Sequence, residues 1–89
     1  MELYDDLYKK WAELKGLDWK LLKAVAQHES SENPNAIGKA GEIGLCQIMP
    51  ALAAAYGIKK EDLFIPDYNL EVASTFLKDL FDKYPEASM

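Results

Sequence analysis

Cysteine occurs once in this sequence, at Cys46, and histidine once, at His28. A lone thiol excludes an internal disulfide and a cysteine-based metal site. A catalytic thiolate would need a base beside it, and no pattern ties Cys46 to His28, so Cys46 reads as a small buried thiol. Cationic side chains are scarce too: 10 Lys and Arg stand against 15 Asp and Glu, a net charge of −5. That balance argues against nucleic acid, where basic patches supply most of the affinity, and against anionic lipid. Long apolar runs are missing; the longest nearly apolar stretch, Ala51 to Ile58, is far too short for a membrane span. The first residues, Met1-Glu2-Leu3-Tyr4-Asp5-Asp6, are acidic and carry no apolar h-region, so no secretion signal is read there. Repeats and low-complexity tracts are absent.

What is present is an ordinary soluble composition, 49% apolar and 28% charged, in a length that suits one modest domain spanning 1–89. Leu3, Leu7, Trp11 and Leu14, with Tyr4 and Tyr8, recur at three- and four-residue steps and predict an amphipathic helix with an aromatic core stripe. Gly16 suits a left-handed stop, and Asp18 can cap a second helix. In that second helix Leu22, Val25, Ala26 and Glu29 fall at i, i+3, i+4 and i+7, which places Glu29 on the buried face. Two readings of Glu29 stand side by side. Partial desolvation would raise its pKa and suit it to general-acid work; a frayed helix end would leave it simply solvated.

Ser30 to Pro34 is turn chemistry, since Pro34 disfavours helical geometry at Asn33. Gly38, Gly41 and Gly44 extend a central loop in which neither the Walker nor the Rossmann spacing occurs. Pro50 suits the first position of a short third helix, Ala51 to Tyr56, ended by Gly57. Leu63-Phe64-Ile65 forms a short apolar plug. Asp67 is expected to cap a last helix whose apolar side is Leu70, Ala73, Phe76, Leu77, Leu80 and Tyr84, with Pro85 as its stop. Asp67-Tyr68-Asn69-Leu70-Glu71 lacks the glycine and distal glutamate of a calcium loop, so no metal site is assigned. No convincing strand appears, and the fold class is all-α.

Two motifs carry a resemblance. The first is Glu29-Ser30-Ser31-Glu32-Asn33-Pro34-Asn35-Ala36. The second is Gly41, Gly44, Leu45, Gln47, Ile48, Met49 and Pro50, and a later Pro66 and Asn69 complete a Pro-x-x-Asn pattern. From about Leu21 to Leu80 the chain resembles the lytic transglycosylases of the soluble murein type, which share a lysozyme-like fold. The resemblance implies about four main helices around a central loop. It also implies a lyase that cleaves the β-1,4 bond of peptidoglycan between N-acetylmuramic acid and N-acetylglucosamine, leaving a 1,6-anhydro product. Glu29 matches the catalytic acid, Ser30 a residue that orients it, and Gln47 and Met49 residues lining the sugar subsites.

No cofactor is implied. The expected partner is a peptidoglycan glycan strand, bound by a monomer in the cell envelope, in the periplasm or in association with phage. Glu32 stands where the family usually has an aromatic residue. Gly38 replaces a frequent serine, Glu42 a common alanine, Cys46 a methionine and Leu52 a threonine. The third family motif, Ala-Tyr-Asn-x-Gly, has no counterpart before Met89, so the C-terminal part of the domain is expected to be missing. The alternatives are a peptidoglycan-binding module, or an inactive fragment that needs a further helix.

Overall fold

The computed structural model describes residues 2–88, and every statement below concerns those residues. Four α-helices are formed: α1 (Asp5–Lys15), α2 (Trp19–Ser30), α3 (Pro50–Ala55) and α4 (Pro66–Lys83). Short 3-10 turns span Lys60–Phe64 and Pro85–Ser88. The all-α class read from the sequence is the class observed. Backbone pairing of strand type is confined to isolated bridges, Ile37 with Ile43 and Ile43 with Ile48.

Local chemistry sets most of the boundaries. Gly16 takes the left-handed conformation (φ 70°) after α1, and the Leu17 N–H returns to the Ala12 carbonyl at 2.8 Å. The Asp18 side chain accepts from the Lys20 N–H at 3.0 Å and caps α2. Pro50 opens α3, where its missing N–H costs no hydrogen bond.

The start of α4 differs from expectation. Pro66 is its first residue, Ile65 is the residue before it, and no side chain caps the end. Asp67 turns away to accept from Trp11 Nε1 at 2.7 Å and Lys10 Nζ at 2.9 Å. The Lys10 ammonium, with help from the Trp11 N–H, holds the Asp67 carboxyl below its usual range. A residue expected to serve its own helix therefore ties α4 to α1.

Helix α1 packs against both α2 and α4. The core takes Tyr8 and Ala12 from α1, Leu22 and Ala26 from α2, and Leu70, Val72 and Ala73 from α4. The central loop adds Ile43, Leu45, Cys46 and Ile48, and the plug adds Leu63. The expected stripe on α1 is thus rotated: Tyr8 and Ala12 are innermost, whereas Leu3 and Leu14 are exposed. On α4, Phe76 and Tyr84 also face outward rather than into the core. Helices bury the side where neighbours cross them, and periodicity alone leaves that side uncertain by a residue or two.

The central loop sits in the protein as a folded element. Ile43 and Ile48 exchange backbone hydrogen bonds at 2.9 and 3.0 Å, closing a tight turn over Gly44 to Gln47. Asn69, fully buried at the start of α4, holds this turn from beneath. Its Oδ1 accepts from the Cys46 N–H at 2.9 Å, and its Nδ2 donates to the carbonyls of Ile43 and Leu63, each at 2.9 Å. Gly44 lies against this hub with φ 81°, and a Cβ there would overlap the Leu63 carbonyl oxygen and Asn69 Nδ2. Gly44→Ala is therefore expected to destabilise the fold by roughly 2–4 kcal/mol, from left-handed strain and overpacking together. A fall in melting temperature measured by circular dichroism checks this.

Candidate active site

Glu29 lies in the last turn of α2. The chain leaves that turn through Ser31 and Glu32, both in the left-handed region (φ 54° and 60°). Such conformations cost roughly 1–2 kcal/mol per residue outside glycine, so other contacts must fix them. They do. The Ser31 N–H bonds to the Gln27 carbonyl and the Glu32 N–H to the Ala26 carbonyl, each at 3.1 Å.

Ser30 joins the two sequence motifs in space. Its hydroxyl lies 2.6 Å from the Leu45 carbonyl oxygen and 3.2 Å from that of Ala26, and it accepts from the Asn33 N–H at 3.0 Å. One side chain thereby clamps the end of α2, the Asn-Pro turn and the Gly44–Gln47 turn. The carboxylate of Glu29 acts on the neighbouring Cys46 thiol, which is pushed up to about 12 by burial first and then by that negative charge. Cys46 is accordingly a protonated, buried side chain, in line with the reading of it as inert.

The expectation that Glu29 is half-desolvated is not met. The residue is exposed, and among the described residues its carboxylate has no hydrogen-bond donor. The helical spacing that put it on the buried face runs past the end of the core. At the last turn the chain veers away at Ser31, and no packed element covers the carboxylate.

Gln47 is half-buried and adopts φ 55°. Its Nε2 donates to the carbonyls of Ala36 and Gly44 at 3.1 and 3.0 Å, so its amide is oriented by the loop before any ligand arrives. Met49 precedes α3 in extended conformation and is 43% exposed, and Ile37 nearby in the loop is also exposed. Two of the departures from the family pattern, Gly38 and Glu42, meet in space. The Glu42 carboxylate and the Gln47 amide oxygen occupy the space that a Cβ on Gly38 would take. Glu42 Oε1 is further held by the Ala40 N–H at 2.8 Å.

The thiol makes a measurable prediction. Cys46 should resist iodoacetamide at pH 8 in the native state and label at the usual rate once unfolded. The linkage has a definite sign. Folding raises the Cys46 pKa above its ordinary value near 9.0, so the native state holds this proton more tightly. Tyr8, ordinarily near 10.0, is raised in the same direction, chiefly by burial and then by Glu32. Stability is therefore expected to be full below pH 9 and to fall as pH rises towards 12. Urea titrations at pH 7, 9 and 10.5 would show the decline.

Comparison with known proteins places the chain in a family. The profile of the transglycosylase SLT domain matches residues 6–89. The chain belongs to this family. A membrane-bound lytic murein transglycosylase F from Alcanivorax borkumensis is 33% identical over 86 residues, covering 97% of this chain and 18% of the relative. Its namesake from Yersinia pestis is 35% identical over 83 residues, covering 93% of this chain and 16% of the relative. Among solved structures, the 70-kDa soluble lytic transglycosylase of Escherichia coli superposes with a TM-score of 0.83 at 27% identity. That match covers 91% of this chain and 14% of the larger one. A complex of the 70-kDa enzyme with bulgecin A gives 0.84 at 26% identity, covering 93% and 15%. The lysozyme-like architecture expected from the motifs is the one found. This SLT domain spans less than a fifth of the length of these relatives.

Two contacts around these turns left little or no signal in the sequence. Asn69 was legible as part of a Pro-x-x-Asn pattern, but nothing local signalled that its amide would support the loop under Cys46. The bond from Tyr8 to Glu32 spans 24 positions and left no trace in periodicity. Among the described residues, no helix is long and apolar enough to cross a membrane.

Proposed function

We propose that this SLT domain acts on peptidoglycan as a lytic transglycosylase, with Glu29 as its acid and base. The observation that carries the reading is the Ser30 clamp. Its hydroxyl, 2.6 Å from the Leu45 carbonyl, fastens the turn bearing Glu29 to the turn that leads through Gln47 to Met49. An open carboxylate close enough to act on Cys46, in the turn that carries the pre-oriented Gln47 amide and leads to the exposed Met49, suits a neutral or amphoteric sugar polymer. A net charge of −5 is compatible with such a partner and ill-suited to a polyanion.

In this reading Glu29 protonates the glycosidic oxygen as the bond between N-acetylmuramic acid and N-acetylglucosamine breaks. The carboxylate so formed takes the proton from the muramic C6 hydroxyl, whose oxygen closes onto C1 to give the 1,6-anhydro ring. No water is consumed, and Glu29 ends in the protonated state in which it began. Glycosidases commonly employ a second carboxylate. Here the substrate's own N-acetyl group takes that role, as the resemblance implies. The bound strand itself supplies desolvation, since a sugar lying over Glu29 removes the water that now reaches it. Ser30 orients the acid, and Gln47 and Met49 line the subsites. The relatives' names support the cell envelope as the place of action.

A second reading has one observation in its favour. Tyr56 at the end of α3 faces Phe76, Asp79, Leu80, Lys83 and Tyr84 across an open groove, and Phe76 and Tyr84 there are exposed large apolar side chains. If a further helix belongs there, these residues by themselves hold glycan without cutting it. Digestion of purified sacculi followed by mass spectrometry separates the readings. Anhydro-muropeptides that vanish in Glu29→Gln support the transglycosylase, reducing ends indicate a hydrolase, and binding without product indicates the module.

A further inference from the structure

We propose that Tyr8 and Glu32 form a positioning pair that holds the last turn of α2, and Glu29 with it, against the Leu45–Gln47 turn. The proposal rests on the reading of Glu29 as the acid. Tyr8 is fully buried on α1, and its hydroxyl donates to Glu32 Oε1 at 2.7 Å. Glu32 in turn closes α2 through its own N–H, which reaches back to the Ala26 carbonyl at 3.1 Å. Its backbone is thus fixed to α2 and its side chain to α1. Any shift of Glu32 is passed through the left-handed Ser31 to Ser30 and Glu29.

The residue types fit the geometry. A carboxylate at position 32, in place of the aromatic residue usual in the resembling family, would be a poor neighbour for a buried helix face unless a donor met it. The Tyr8 hydroxyl is that donor, and a hydrogen bond to an ionised acceptor is both short and directional. An apolar aromatic contact tolerates sliding; this bond does not. At position 32 a directed bond from Tyr8 thus stands where the resembling family usually has an apolar aromatic contact, at the point where the chain turns away from Glu29.

The test compares Tyr8→Phe, Glu32→Ala, Glu32→Gln and the double variant Tyr8→Phe/Glu32→Phe with Glu29→Gln, in the full chain on soluble glycan fragments. Tyr8→Phe and Glu32→Ala are expected to lower kcat about 10- to 100-fold with KM within about twofold, the scale of a 1 Å misplacement. Glu32→Gln, which keeps an acceptor oxygen, is expected to retain most of the rate. The apolar double variant is expected to recover much of it.

Unchanged kcat in both single variants alongside an inactive Glu29→Gln would overturn the pair. A raised KM with unchanged kcat would do the same, assigning Glu32 to substrate binding. An active Glu29→Gln removes the underlying reading and the pair together. Amide hydrogen exchange gives a readout that needs no turnover. Faster exchange at Ser31 and Glu32 in Glu32→Ala but not in Glu32→Gln supports the pair, and equal rates overturn it even where Tyr8→Phe fails to fold.

Discussion

Glu29→Gln is expected to reduce the rate of glycan cleavage by roughly 10²–10⁴-fold, the contribution of general acid–base catalysis. Glutamine keeps the size of the side chain and its hydrogen-bonding capacity but removes the ionisable carboxyl, and with it both the transferable proton and the negative charge. The residue is exposed and has no hydrogen-bond donor among the described residues, so the fold has little to lose. Melting temperature should move by no more than a few degrees, in keeping with the roughly 0.5 kcal/mol or less expected of surface substitutions. Removing the negative charge should also let the Cys46 pKa drift downward from about 12, because Glu29 is one of the two causes that raise it. A faster alkylation of Cys46 at high pH in Glu29→Gln would show that the carboxylate faces the loop as described. Retention of cleavage would remove Glu29 from the chemistry.

Asn69→Ala is expected to have the largest effect on stability. Its side chain makes three hydrogen bonds in a fully buried position, to the Cys46 N–H and to the carbonyls of Ile43 and Leu63. The Ile43 carbonyl keeps a second partner in the Ile48 N–H. Alanine therefore orphans one buried donor and one acceptor outright, at roughly 1–3 kcal/mol each, and adds a small cavity. A total of about 3–5 kcal/mol would be a large share of the roughly 5–15 kcal/mol that holds a domain folded. For a domain of this size, each kcal/mol corresponds to about 4–8 °C in melting temperature. Calorimetry should therefore show a drop of about 15 °C or more.

Gly44→Ala and Asn69→Ala are also expected to be non-additive. The methyl group introduced at 44 would collide with Asn69 Nδ2, and truncating Asn69 makes room for it. Additive losses in the double variant would mean that the two sites are not in contact. Because Asn69 supports the turn that Ser30 clamps, loss of Asn69 should loosen Glu29 and Gln47 together.

Helix content and its limits were legible because they depend on neighbours within a few positions. Gly16 stops α1, Asp18 caps α2 and Pro50 opens α3, each through backbone geometry or a hydrogen bond reaching two to five residues along the chain. The two motifs were equally legible, since residue type and spacing carry them without reference to any fold. What periodicity could not give was the direction of each helix relative to the others. Leu14 and Phe76 satisfied the pattern and still face solvent, while Asn69, polar and marked only by its place in the Pro-x-x-Asn pattern, is fully buried.

The sequence by itself thus determined an all-α chain with an acid at a helix end and a glycine-bearing loop after it. Only the tertiary structure decided what those parts do to one another. It turned Asp67 from a cap into a tie between α4 and α1, brought Tyr8 to Glu32, and left Glu29 open rather than half-dry. The physical reason is reach. A helix signal is read from residues one turn apart, whereas these contacts join positions 24 and 56 residues apart, which meet only once the helices have packed.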